Sequence, residues 1–169
     1  YIHTESGDTS SGSSVSLNNA GTIVAVGQDR ADTGVGGNQG RVRVYELIGS
    51  DWAQVGSDIN GEIWGDESGR SVSLSGDGTT VAIGAPFNNN DAGGASWTVL
   101  DSGHVRVHKW DGTSWNQLGD DIDGVSWNHG SESGQSVSLS DDGTILALGA
   151  PRFQPEGSTT RSGRARVFE

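Results

Sequence analysis

The chain has 169 residues, of which 22 are acidic and 10 basic, giving a formal net charge of -12, and it has no cysteine. So acidic a surface repels phosphate backbones and speaks against a nucleic-acid partner. Without thiols there are no disulfide staples, thiolate metal sites or cysteine nucleophiles. Hydrophobic residues make up 31%, and glycine occupies 28 positions. The apolar residues fall in short Val, Ile and Leu clusters between Gly, Asp, Asn and Ser, the pattern of many short strands. No apolar run approaches the roughly 18 residues of a membrane span, so membrane insertion is not expected.

In chain order, the first cluster is Ser14-Val15-Ser16-Leu17, followed by Val24-Ala25-Val26-Gly27, Gly40-Arg41-Val42-Arg43-Val44-Tyr45 and Trp52-Ala53-Gln54-Val55-Gly56. The series then restarts with Ser71-Val72-Ser73-Leu74 and continues through Val81-Ala82-Ile83-Gly84, Gly103-His104-Val105-Arg106-Val107-His108 and Trp115-Asn116-Gln117-Leu118-Gly119. A third series runs Ser136-Val137-Ser138-Leu139, Leu146-Ala147-Leu148-Gly149 and Gly163-Arg164-Ala165-Arg166-Val167-Phe168. Each block alternates apolar with polar or small residues, the two-residue period of a strand. Asp77-Gly78 and Asp142-Gly143 between the first two blocks are hairpin signals, because such turns need positive φ.

One repeat is therefore a four-stranded antiparallel meander, with strands a to d. The expected repeats are 1–57, 58–120 and 121–169, the last without its fourth strand. A lone meander cannot bury both faces. Small residues such as Ala25, Ala82 and Ala147 beside the glycines let neighbouring sheets approach. Radial stacking of such sheets is the β-propeller solution, so the expected fold class is all-β, with tandem four-stranded antiparallel blades of a β-propeller.

The run Gly-x-Ser-Val-Ser-Leu-Ser-x-Asp-Gly-Thr, then Val-Ala-Ile-Gly-Ala-Pro, Gly-x-Val-Arg-Val and Trp-x-Gln-x-Gly-x-Asp-Ile resembles the FG-GAP family of propeller repeats, best from Gly69 to Pro86. It is similar to blades of the integrin α-subunit head and of large extracellular repeat proteins of microbes and algae. The resemblance implies an extracellular module for adhesion, protein or glycan binding, or surface scaffolding. Integrin-type blades often carry a calcium loop between their first two strands. Here Ser75-Gly76-Asp77-Gly78 and Ser140-Asp141-Asp142-Gly143 are too short to supply the six or more oxygens that calcium takes. No cofactor is required by this reading, and calcium stays a candidate only for other oxygen-rich loops.

The series opens after a missing strand d and closes after a strand c. Known closed propellers use roughly four to eight blades. The expectation is either part of a longer propeller or a subunit that builds a filament or ring with copies of itself by strand exchange.

Binding on such a fold falls on rim loops. The variable b–c connections supply the candidate residues Asp29, Asp32 and Asn38 in the first repeat, and Asn88, Asn90, Asp91, Trp97 and Asp101 in the second. The competing reading of these Asn and Asp residues is turn formation. The d–a connections hold Asp58, Glu62, Asp66 and Glu67 in one copy, and Asp120, Asp121, Asp123 and Glu132 in the next. Such acids could serve glycoside hydrolysis, but acids recur at repeat positions, which points to turns or caps. Arg43, Arg106 and Arg166 occupy one repeat position and are expected to pair with acids of a neighbouring blade. His104 and His108, four apart on a strand, stand about 13 Å apart at roughly 3.3 Å per residue and cannot share an ion. With no Gly-x-Ser-x-Gly elbow and no asymmetric acid pair, the sequence reading is that the chain is not an enzyme.

Overall fold

In the computed structural model, residues 2, 10–34, 37–89, 101–125 and 130–169 are described. Among them there is no helix. The first sheet contains β1 (Ser14–Leu17), β2 (Ile23–Gln28), β3 (Arg41–Ile48) and β4 (Asp51–Gln54), with β5 (Ile59–Asn60) beside the start of β3. The second repeats this order with β6 (Ser71–Leu74), β7 (Thr80–Ala85), β8 (His104–Trp110), β9 (Trp115–Gln117) and β10 (Ile122–Asp123). The third contains β11 (Ser136–Leu139), β12 (Leu146–Ala150) and β13 (Arg164–Phe168). Neighbouring strands are antiparallel, as hairpin connections require. The three sheets are successive propeller blades.

The expected strand d is two short pieces. β4 pairs with the far end of β3 and β5 with its beginning, through Arg41 with Asn60 and Val42 with Ile59. The break falls at Gly56, whose φ of 74° no β-branched residue would adopt easily. Gln54 Nε2 donates to the Gly56 carbonyl at 3.3 Å and to Asp58 Oδ1 at 2.8 Å. The second blade repeats the break at Gly119, with Gln117 donating to Gly119 and Asp121. The first sheet thus reaches Asn60 and the second Asp123, so the repeat cuts after 57 and 120 fall inside the split strand.

The Ser-Val-Ser-Leu motif makes the seams between blades. Its serines face the following blade. Ser14 Oγ donates to the Gly69 carbonyl at 2.7 Å, and Ser71 Oγ to the Gly134 carbonyl at 2.7 Å. Ser16 and Ser73 accept the N–H groups of Leu74 and Leu139 at 3.0 and 2.9 Å. The blades come so close here that a Cβ on Gly27 or Gly84 would stand 2.1 Å from the opposing carbonyl oxygen. Val and Leu of the motif face the preceding blade. Val72, Leu74, Val81 and Ile83 of the second blade close on Ala25, Val42, Val44 and Ile59 of the first. Leu146 and Leu148 close on Ala82 and Val105 in the same way. Each such fully buried aliphatic side chain contributes about 1.5–3 kcal/mol.

The a–b hairpins link blade to blade, with the Asn19 N–H donating to the Gly76 carbonyl at 3.0 Å and the Gly76 N–H to the Asp141 carbonyl at 2.7 Å. Asp77 Oδ1 accepts from Ser75 Oγ at 2.6 Å and from the Thr79 N–H at 2.9 Å, and Asp142 does the same with Ser140 and Thr144. These carboxylates are committed to their turns.

Candidate binding seam between the first two blades

Alternation along β8 puts Val105 and Val107 toward the third blade and His104, Arg106 and His108 toward the first. All three polar residues are buried, at 1%, 6% and 7% exposure. Opposite them runs the chain leaving the first blade. Arg106 Nη2 donates to the Asn60 carbonyl at 2.7 Å, and Nη1 lies 3.5 Å from Glu62 Oε1. The next seam repeats this strut, with Arg166 Nη1 donating to the Asp123 carbonyl at 2.6 Å. These arginines therefore tie one blade to its neighbour.

Beside the strut lies a cavity of about 230 Å³, lined by Ser57, Asp58, Ile59, Asn60, His108, Ser114 and Trp115. Trp115 is half-buried, donates its indole N–H to the Val55 carbonyl at 2.9 Å, and packs on Trp110 with ring centroids 5.4 Å apart. His108 Nδ1 is buried without a hydrogen-bond partner. Burial and the charge of Arg106 push the His108 imidazole down to about 4, against a smaller opposing pull from Asp121, so it is neutral at pH 7. Asp58 brings no free charge. Arg41 and Arg43 pair with its two oxygens at 3.1 and 2.9 Å. Burial pushes its carboxyl up, but the hydrogen bonds from Arg43 and Gln54 and the two arginine charges outweigh this and hold it below the ordinary range. A neutral pocket with hydroxyl, amide and imidazole groups beside an aromatic ring suits a neutral polar ligand.

At the other end of the row, His104 Nδ1 stands 3.6 Å from Asp121 Oδ2 and 3.9 Å from Glu62 Oε2. Burial and Arg106 push this imidazole down to about 4, with Asp121 opposing. Glu62 is raised by burial and by Asp121, Asp66 and Asp123, with Arg106 opposing. The d–a acids thus meet a histidine from another strand, a juxtaposition that spacing along β8 does not reveal.

The loop residues expected to bind are placed as follows. Asp29 is 3% exposed and pairs with Arg70 at 2.8 Å. Asp32 is exposed and accepts the Gly34 N–H at 2.9 Å in an Asx turn. Asn38 and Asp101 have φ of 59° and 61°, and their carbonyls accept the N–H groups of Glu67 and Glu132 at 3.0 and 2.9 Å. Asn88 is buried and donates to Asp66 Oδ1 at 3.2 Å. Asn90, Asp91 and Trp97 lie outside the described residues. Each of the other five makes a local turn or buried link; the seam groups His108, His104, Glu62 and Asp121 come from other segments.

No protein-family model matches the chain, and no curated protein does. Several solved structures are similar to it. Hydrazine synthase of Kuenenia stuttgartiensis is 16% identical with a TM-score of 0.48, over 89% of this chain and 32% of that one. A protein assigned as a 6-phosphogluconolactonase from Bacteroides uniformis is 13% identical with a TM-score of 0.48, over 85% of this chain and 37% of that one. The tricorn protease is 11% identical with a TM-score of 0.44, over 90% of this chain and 13% of that one. This chain therefore spans at most 37% of any of these three. These propeller-like chains carry enzyme names, and the expectation that the chain is not an enzyme is corrected accordingly. Propeller loops can carry catalytic groups from separate strands, so the lack of a sequence motif did not exclude them. At such identities the likeness gives no reaction for this chain.

Proposed function

We propose that the chain is an FG-GAP-type propeller module, displayed outside the cell, that binds a neutral glycan in the seam between its first two blades. The observation that carries this reading is the cavity lined by Trp115 and by His108, whose buried Nδ1 has no hydrogen-bond partner. At about 230 Å³ the cavity is smaller than the roughly 300–1,000 Å³ of drug-sized sites, which suits one sugar ring. Ser57, Asn60 and Ser114 supply the polar groups that fix such a ring, and the aromatic face supplies stacking. The test is retention of the chain on immobilised neutral oligosaccharides. Replacing His108→Phe, which gives the second blade the residue type of Phe168 in the third, should abolish retention while the fold stands. Equal retention of both chains would remove the reading.

A second reading rests on the end faces. Val15 and Leu17 are 65% and 58% exposed, whereas their counterparts Val72 and Leu74 are 9% and 6% exposed under the preceding blade. The face carrying Val15 and Leu17 is shaped for another blade of this repeat, and the third blade of a second copy offers one. This would build the scaffold by stacking faces, a different contact from the strand exchange that the sequence suggests.

A further inference from the structure

We propose that Glu62, His104 and Asp121 form a site for one divalent transition-metal ion of the zinc class, independent of the glycan reading. One donor atom from each residue lies within 4.8 Å of the others. Donors in a tetrahedral site with bonds of about 2.0–2.1 Å stand roughly 3.3–3.5 Å apart. The distances of 3.6 and 3.9 Å from His104 Nδ1 to the two carboxylates therefore need only small side-chain rotations.

The observation that points to a ligand is His104 itself. It is 1% exposed, yet neither nitrogen makes a hydrogen bond: Nε2 has no partner, and Nδ1 lies beyond hydrogen-bond reach of both carboxylates it faces. Buried polar side chains are rarely left so. An ion would take up Nδ1, which faces the two carboxylates without a hydrogen bond to either.

The first blade provides an internal comparison. Arg41 stands there where the second blade has His104, and it helps to saturate Asp58, the counterpart of Asp121. The shorter histidine leaves that space open. Glu62 enters it from the d–a connection, where the next repeat has Val125. The sequence thus builds this triad at one seam.

The two carboxylates are held by outer partners. Gln117 Nε2 donates to Asp121 Oδ1 at 2.7 Å, leaving Oδ2 toward His104. Arg106 faces Glu62 Oε1, leaving Oε2 toward His104. Asp66 Oδ2 accepts the N–H groups of Glu62 and Ile63 at 3.1 and 3.0 Å and fixes the loop that presents Glu62. The Arg106 charge opposes a cation, while the two ligating carboxylates and the nearby Asp66 and Asp123 favour one. One imidazole and two carboxylates leave an open position for water, as zinc accepts, whereas calcium prefers six to eight oxygens. Glu62, with a 43% exposed side chain, gives the ion a route in.

The test is calorimetric titration of zinc chloride into the chelator-stripped chain, with calcium chloride as the comparison. One zinc per chain should bind, and calcium much more weakly. Glu62→Gln removes an exposed ligand without burden on folding, and His104→Arg rebuilds the Arg–Asp pair of the first blade. Each should weaken zinc by at least about tenfold, a loss that even outer-shell partners cause, while Asp142→Asn, in the a–b turn of the third blade, leaves it unchanged. Absence of stoichiometric zinc binding, equal affinity for calcium, or wild-type zinc affinity in Glu62→Gln would overturn the proposal.

Discussion

Gly84 and Gly149 hold the same place in successive blades and differ in what stands opposite. A Cβ on Gly84 meets the Gly134 carbonyl oxygen at 2.1 Å, while one on Gly149 meets only the movable Ser136 hydroxyl, at 2.5 Å, within 3.5 Å. Gly84→Ala should therefore cost about 1–3 kcal/mol by overpacking, and Gly149→Ala about 0.5 kcal/mol or less, as read by urea unfolding. Equal costs would mean that the seam contact is not what selects glycine. His108 gives a pH dependence. Its ordinary value of 6.5 falls to about 4 in the folded chain. Between those values the unfolded chain takes up a proton that the folded chain refuses. The stability it contributes is complete above pH 6.5 and is lost as pH falls toward 4. Glu62, Asp66 and Asp123 are raised, chiefly by burial, and act with the opposite sign, losing stability as pH rises through their folded values. The difference between wild type and His108→Phe isolates the histidine. With chelator present, the variant should lose less stability than wild type between pH 7 and 4.5, and parallel losses would contradict the assignment.

At the scale of the element, one strand motif does two jobs because a strand has two faces. Leu17 and Leu74 occupy the same position of Ser-Val-Ser-Leu, at 58% and 6% exposure. Leu74→Ala should cost about 2–5 kcal/mol, whereas Leu17→Ala should fall within about 0.5 kcal/mol, by the same unfolding assay. Strands a to c were legible because Val, Leu and Ala alternate with Ser and Gly at the period of a strand. The break in strand d at Gly56 was not, since Trp-x-Gln-x-Gly reads as continuous alternation and only the 74° φ reveals the turn. Of the arginines expected to pair with a neighbouring blade's acid, Arg106 faces Glu62 beside its strut to the Asn60 carbonyl, Arg166 reaches the Asp123 carbonyl, and Arg43 pairs instead with Asp58 at the end of its own blade. The juxtaposition at the first seam was hidden for a physical reason. His104 and His108 were compared only along their own strand, while Glu62, Asp121 and Trp115 reach them from other strands. The Asn and Asp residues of the b–c loops attracted attention by composition, yet Asn38 and Asp101 are left-handed turn positions whose carbonyls hold the d–a loop.

For the whole molecule, the repeated seam makes the two end faces complementary. The first blade exposes Val15 and Leu17, and the third exposes Val167 at 69% and Ile145 at 44%. If these faces stack between copies, light scattering should show mass rising with concentration, and Leu17→Asp should keep the chain monomeric without unfolding it. A wild-type chain that stays monomeric at high concentration would contradict the stacking reading. The seam between the first two blades holds the buried, partnerless His108 Nδ1 beside the cavity, so the proposed ligand should bind there. A titration of the isotope-labelled chain with a neutral oligosaccharide, followed by nuclear magnetic resonance, tests this most directly. Shifts should gather at the Trp115 indole N–H and the amides of Ser57, Asn60, His108 and Ser114, with the strut at Arg166 and Asp123 unmoved. Shifts confined to the loops of Asp32 and Asn38, or none with any neutral sugar, would contradict it.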